Sequence, residues 1–459
     1  MEELNRYREA FLNLPGQIQE AEVQAEKNIL SEATVSGGVS KGMGFSEKTE
    51  LFVRASGEKT GMVYTENLSE DPQEILRLAF ENSLMGETKE PMNTREEVEE
   101  GSKAAGELGK TEECCETETK VLHDFACRME TELREQFSDA GRIEVGAVQK
   151  LTMMGIVNTK GVDVSATTGH FDVTVEVSHR DDPLKIYTET RSAKQLSQIG
   201  AEAFLENLKN WELTVRESGK FIPGTYRAVL SSQVVNFLLV TGWQMFSGVH
   251  YQSGRSALCG KLGEKVFSEC ITIRDKKGRT DCGIPSGYTF LIDAEGTPCK
   301  DVNVVEKGIF KGLLHNLSTA HKAGTSSTGN AGRKALLSGN IHTDMTVIPG
   351  NLMIEAGENT LAQLLSKCEN GIYIYEAYDQ FHGLNTVTGD FMFPCKGILV
   401  EDGQLKAGVS GLSMNGNIVE LFQSVEALGR EQKIEPMIMY NNYVVSGPSM
   451  LVSNLRVSG

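Results

Sequence analysis

From Ala228 to Val249 the chain reads AVLSSQVVNFLLVTGWQMFSGV, without a single Asp, Glu, His, Lys or Arg. Serine, glutamine, asparagine, threonine and glycine interrupt it too often for a membrane span. The pattern predicts a strand over Tyr226–Leu230 and a helix from Ser231 to about Phe246. Val234, Val235, Leu238, Leu239, Trp243 and Phe246 make that helix apolar nearly all round, so it must be buried. A chain of 459 residues is long enough for two or three domains with cores that could enclose it.

The sequence after this run is rich in strands. Asp344–Pro349, Ile372–Tyr378, Phe391–Phe393, Ile398–Val400 and Lys406–Val409 all carry β signals, with Glu401-Asp402-Gly403 as a turn. Asn359–Cys368 predicts a short helix capped by Asn359, and Ile418–Phe422 one helical turn. The closing PSMLVSNLRVSG is a final strand. This half is expected to be predominantly antiparallel β, curved or barrel-like.

The first half mixes the two periods. Residues 2–30, rich in Glu, Gln and Ala, predict a helix broken at Pro15-Gly16. SGGVSKGMGF follows as a glycine loop. It contains G-x-S-x-G at Gly38–Gly42, but a nucleophile elbow needs a strand before it and a helix after it, so chance explains the match better. Leu51–Val53 and Thr60–Tyr64 are strands around Ser56-Gly57, and Asp71 caps a helix that starts at Pro72. Residues 86–112, rich in Glu, Lys and Gly, read as an exposed connector. A helix over Glu113–Phe137 places Val121, Phe125, Met129 and Leu133 on one stripe. Ile143–Leu151, Met154–Val157, Val162–Ala166 and Phe171–His179 alternate as an antiparallel sheet, and Ala193–Trp211 returns to helical spacing. Strands and helices in separate runs imply α+β rather than alternating α/β. Phe221-Ile222-Pro223-Gly224 marks the boundary between an N-terminal α+β domain, 1–220, and a C-terminal β-rich domain, 221–459.

The densest motif-bearing stretch is Gly287–Arg333. Tyr288, Phe290 and Ile292 alternate into a turn at Glu295-Gly296. Val302–Val305 and Ile309–Leu314 form a hairpin across Glu306-Lys307-Gly308, with a bulge expected from the three-residue link. Ser318–Lys322 makes a turn or two of helix, and Gly324, Gly329 and Gly332 then break the chain into a loop around Asn330.

These residues carry a resemblance. D-x-E-G-x-P, E-x-G-x-x-K-G-x-L and the S-T-G-N-A-G-R loop at Ser327–Arg333 resemble, in this order, the TldD/PmbA family of paired peptidase subunits. In that family one subunit, TldD, holds zinc through HExxxH and a distant cysteine; the other, PmbA or TldE, lacks those ligands. The resemblance covers roughly residues 35–459. It puts Leu239, Val240 and Gln244 at the His, Glu and His positions, and no cysteine follows Cys395. A zinc site needs imidazole, thiolate or carboxylate donors and a base that titrates. The chain is therefore similar to the zinc-less subunit. The resemblance implies proteolysis in peptide maturation or degradation, in a heterodimer with a TldD-like partner that carries the zinc. It implies no catalytic residue, metal or cofactor in this subunit.

Composition narrows the remaining classes. The net charge of −18 argues against nucleic acid, whose phosphates call for basic surface. No secretory h-region is visible in MEELNRYREAF, and the nine cysteines form no CxxC, so a cytoplasmic protein with reduced thiols is expected. No membrane contact is expected. GRSALCGKL at Gly254–Leu262 misses the phosphate-loop spacing. None of the eight histidines has a second ligand at useful spacing, and Cys299 has no nameable base beside it. Three readings remain, in this order: a scaffolding subunit of a peptidase, an autonomous hydrolase whose site is assembled from distant residues, and a homodimeric peptide-binding protein. For the first, unfolded or short peptides would be held by backbone pairing, with Thr328, Gly329 and Asn330 as candidate contacts.

Overall fold

A computed structural model describes residues 3–86, 88–105, 116–137, 140–216, 219–277, 291–333, 345–436 and 443–459. Six strands build the first sheet: β1 (Glu20–Ser36), β2 (Val39–Ser56), β3 (Thr60–Thr65), β4 (Ala140–Asn158), β5 (Asp163–His179) and β6 (Ile186–Ala193). Their order is β3-β2-β1-β4-β5-β6 and every neighbour is antiparallel. One alternating set of side chains forms the apolar face. Ala21, Val23, Ala25, Leu51, Val53 and Ala55 pack with helices Glu3–Phe11 and Pro72–Ser83. Further along, Ala33, Val35, Val145, Val173 and Val175 pack with helices Thr119–Gln136 and Glu202–Arg216.

The helix expected over 2–30 is a correction. The chain is helical only over Glu3–Phe11 and enters β1 at Glu20. Glutamates and alanines have helical propensity, but here they alternate, with Ala21, Val23 and Ala25 on one face and Glu22, Gln24 and Glu26 on the other. The glycine loop is a hairpin. Gly37 and Gly38 both adopt positive φ (65° and 71°), as a two-residue turn of the first primed type requires. Both their N–H groups donate to the Glu130 carboxylate, at 2.7 and 2.8 Å. Nor is the 86–112 stretch exposed throughout: it holds a helix, Arg95–Ala105, and buries Met92, Asn93 and Val98. Residues 87 and 106–112 of it lie outside the described residues. On the helix over Thr119–Gln136 the buried position is Leu122, whereas Val121 faces solvent.

The second half contains β7 (Gly224–Leu230), β8 (Ile273–Lys276), β9 (Val302–Glu306), β10 (Ile309–Phe310), β11 (Ala331–Gly332), β12 (Thr346–Val347), β13 (Asn351–Ile354), β14 (Gly371–Ala377), β15 (Asp390–Glu401), β16 (Gln404–Asn417), β17 (Val425–Pro436) and β18 (Val444–Ser458). Ten of these form one sheet, and β11 pairs with β12. β18 pairs with β7 and β16, and the path β16-β15-β14-β7 returns to β18, so five strands close on themselves. Pairing is antiparallel except at β7–β14 and β13–β18. The chain is thus α+β, with an antiparallel first sheet and a large, mixed, barrel-like second one.

The charge-free helix, Ser232–Gly242, continues as a tight turn through Trp243–Phe246 inside this second half. Ser231 caps it: its Oγ accepts from Val234 N and donates to Tyr375 O at 2.8 Å. The β9–β10 link is tighter than expected. Glu306 pairs with Ile309, leaving Lys307 and Gly308 as a two-residue turn with φ of 46° and 78°. The short helix Leu361–Cys368 is capped by Thr360, not Asn359. The alternation at Tyr288 and Phe290, and Asp344, lie outside the described residues.

Candidate functional site

The second face of β1 carries Glu22, Gln24 and Glu26, all buried against the C-terminal half. Glu22 stands opposite Arg54 on β2, and the guanidinium binds its carboxylate, with Nε at 3.1 Å from Oε1. Arg54 also reaches Glu90 at 3.1 Å. Arg333, at the end of the S-T-G-N-A-G-R loop, donates from Nε to Gln24 Oε1 at 2.9 Å and lies 4.8 Å from the Phe52 ring centre. Burial and the neighbouring Arg54 pull its pKa down to about 10. A buried charge is tolerated only when paired, and of these hydrogen bonds the one between Arg333 and Gln24 joins the first sheet to the second half.

Two carboxylates come from the turn that the sequence identified. Asp293 accepts from the backbone N–H groups of Glu295, Thr297 and Ala331, each at 2.9 Å. Glu295 Oε2 accepts from Leu317 N at 2.8 Å, at the start of helix Leu317–Ala323. Its backbone carbonyl accepts from Asn93 Nδ2 at 2.7 Å. Burial, reinforced by the adjacent Asp293 charge, raises the Glu295 carboxyl. Asp293 keeps its charge the more readily of the two, since three N–H donors oppose its desolvation. Beside them Asp275, fully buried, accepts from Lys277 Nζ at 2.9 Å and from Asn330 Nδ2 at 2.7 Å.

Between these groups runs a cleft lined by Gln24, Met154 and Thr168 of the first sheet and by Lys277, Asp293, Cys299, Asn330 and Arg333 of the second half. Two of the three candidate peptide contacts, Gly329 and Asn330, line it; Thr328 does not. The Asn330 side chain is spent inside the protein, donating to Asp275 and Ile348 O and accepting from Thr328 Oγ1 at 2.7 Å. Thr328 Oγ1 in turn accepts from His315 N at 2.7 Å. Gly329 has a φ of 72°, and a Cβ there would stand 2.6 Å from Cys299 Cα, so only glycine fits. What these three residues offer a ligand is therefore the shape and backbone of the loop rather than free side chains.

Among the described residues that line the cleft, the one thiol is Cys299, and it is not activated. Burial pushes the Cys299 thiol well above its ordinary value, and Sγ donates to Gly329 O at 3.2 Å. His315 is buried, contacts Thr319 Oγ1 at 3.1 Å, and is held toward the neutral form by burial. His170 lies away from the cleft lining, 3.5 Å from Asp172. Burial would raise the Asp172 carboxyl, but the bond to His170 and the charges of His170 and Lys150 outweigh it and hold the group below the usual range.

The positions matched to the zinc ligands lie elsewhere. Leu239 and Val240 are buried in the C-terminal apolar core beside Leu238, Trp243 and Phe246. Gln244, half-buried, sits on the tight turn after the helix. Two hydrocarbon side chains and a neutral amide do not fit a zinc ion. Among the described residues, no group of three or more His, Cys, Asp or Glu side chains is placed to hold a metal. Among them too, no helix is long and apolar enough to cross a membrane.

Sequence reasoning missed Glu22, Arg54, Asn93 and Glu295 as one cluster. The signal was the alternation across Glu20–Glu26, which a helix assignment concealed.

Comparison with known proteins adds four observations. A family model described as the PmbA/TldA metallopeptidase C-terminal domain matches residues 223–459. An uncharacterised protein of Methanocaldococcus jannaschii is 26% identical over 338 residues, 72% of this chain and 74% of its own. A metalloprotease of Archaeoglobus fulgidus is 31% identical over 189 residues, only 41% of either chain. The solved structure of TldE from Thermococcus kodakarensis superposes with a TM-score of 0.81 at 20% identity, covering 100% of both chains.

Proposed function

Because the chain belongs to the PmbA/TldD family of metallopeptidases, we propose that it is the PmbA/TldE-type subunit of a two-subunit peptidase and has no zinc site of its own. The observation that carries this reading is the chemistry at Leu239, Val240 and Gln244. A peptidase of this kind needs ligands and a titrating base on that helix, and this helix is part of a hydrocarbon core.

In this reading hydrolysis is supplied by a zinc-bearing, TldD-like partner, and this chain contributes wall and binding surface. Unfolded or short peptides are the substrate class. Gly329 and Asn330 of the candidate loop border the cleft, and the Asn330 side chain is spent inside the protein, which suits sequence-tolerant recognition of an extended chain through backbone. The cytoplasm is the expected compartment.

The test compares the purified chain alone, its TldD-like partner alone and the two mixed, against an unstructured peptide. Cleavage is expected only where the partner is present, to increase on mixing, and to vanish with chelator. Zinc-dependent cleavage by this chain alone would refute the assignment.

A further inference from the structure

The first sheet ends at β6, and β6 packs against β17 of the second half. Two carboxylates face each other there, Glu189 of β6 and Glu435 of β17. Glu189 is buried and well supplied with donors: the Tyr187 hydroxyl, the Arg191 guanidinium and Asn207 Nδ2 at 3.0 Å. Asn207, on helix Glu202–Arg216, accepts from Lys433 Nζ of β17 at 3.2 Å, and Lys433 also reaches Glu206 at 3.3 Å. Glu435 is supplied differently. Its Oε1 is buried and accepts no hydrogen bond from the described residues. Its partner Asn236, fully buried on helix Ser232–Gly242, commits Nδ2 to Lys433 O at 2.9 Å, and Asn236 Oδ1 has no donor either. Buried acceptors without donors are costly, and one proton between these two removes both deficits.

We propose that the contact between β6 and β17 is a proton-dependent latch: a proton on Glu435, donated to Asn236 Oδ1, lets the two carboxylates share the junction, and its loss loosens the first half from the second. The charges around the pair explain why a proton is needed. Tyr187 and Arg191 face it from β6, where β5 sets only Val175 opposite Glu189. Glu206 and Asn207 face it from helix Glu202–Arg216, Gln233 and Asn236 from helix Ser232–Gly242, and Lys433 from β17 itself. With every group ionised, the carboxylates of Glu189, Glu206 and Glu435 share only the cations of Arg191 and Lys433 among these residues. Arg191 Nε is buried without an acceptor, but turning it to Glu435 would draw the guanidinium off Glu189. Burial raises both carboxyls, against the pull of Arg191 and Lys433. A proton kept in the folded state, which the unfolded chain releases at about pH 4.3, stabilises the contact fully below that value. The gain is lost as pH rises through the folded value, so the latch holds in acid and weakens toward alkaline pH. The two halves that it joins also line the cleft.

This inference does not depend on the peptidase reading, because its test on the full chain reads a proton and amide exchange rather than cleavage. At about pH 5 the infrared spectrum of the parent, less that of Glu435→Gln, should show the carbonyl band of a protonated carboxyl. Glutamine keeps an N–H for Asn236 but has no acid to protonate. Amide exchange over Ile186–Ala193 and Glu202–Arg216, corrected for its intrinsic pH dependence, gives the opening constant of the junction. In the parent that constant should rise with pH, by up to about tenfold for each unit between about pH 5 and 8. Glu435→Gln should flatten the rise. Glu189→Gln is the second variant should the first fail to fold, and it should move the rise to lower pH, because Glu435 then loses a like charge beside it. A difference spectrum without the band, exchange at β6 that does not vary with pH in the parent, or a rise unchanged in slope and midpoint by either variant would overturn the proposal.

Discussion

At the scale of single residues, buried charge gathers on both sides of the junction between the two halves. Arg54 binds Glu22 and Glu90, Arg333 reaches Gln24, and Asp275 holds Lys277. Glu295 is the member whose ionisation is least favourable. Burial and the Asp293 charge raise its carboxyl, so the folded state retains a proton that the unfolded chain releases at about pH 4.3. The stability it contributes is complete below that value and is lost as pH rises toward its folded one. Glu295→Gln does not titrate and keeps an oxygen for Leu317 N. Urea unfolding should therefore show the variant gaining on the parent as pH rises from about 4.3, by up to about 1.4 kcal/mol for each pH unit of displacement. A difference that stays flat or narrows with pH would contradict the assignment.

At the scale of elements, caps and turns decide where the chain changes course. Ser231 ends β7 and begins the charge-free helix, using one hydroxyl to accept from Val234 N and donate to Tyr375 O. Ser231→Ala leaves both groups unpaired inside the core and should cost about 1–2 kcal/mol, read as a lower denaturation midpoint with an unchanged m-value. That helix was legible in the sequence because its lack of charge admits no exposed face. The Asp71 cap was legible because local chemistry specifies it. β1 was not, since Glu and Ala in alternation look helical until it is known that both faces of the strand are covered. β6 and β17 were missed because polar strands such as IYTETRSA owe their state to neighbours in the sheet, not to their own pattern. The candidate loop at 328–330 was located through its glycines. The use of Asn330 inside the fold was not, because Asp275 and Ile348 are distant in sequence.

At the scale of the whole molecule, a cleft lies between the two sheets, while the helix that would carry a catalytic ion in a zinc-bearing subunit is sealed in the barrel-like half. Asn93, from a stretch that reads as a connector, ties the first half to Glu295 and Thr297, so both halves shape the cleft together. The central claim, that this chain borrows its metal chemistry from a partner, is tested most directly by elemental analysis of the isolated chain after zinc loading and gel filtration. The account predicts zinc far below one ion per chain, unchanged in Gln244→Ala. One tightly held zinc per chain, lost on substituting this chain's own side chains, would contradict it.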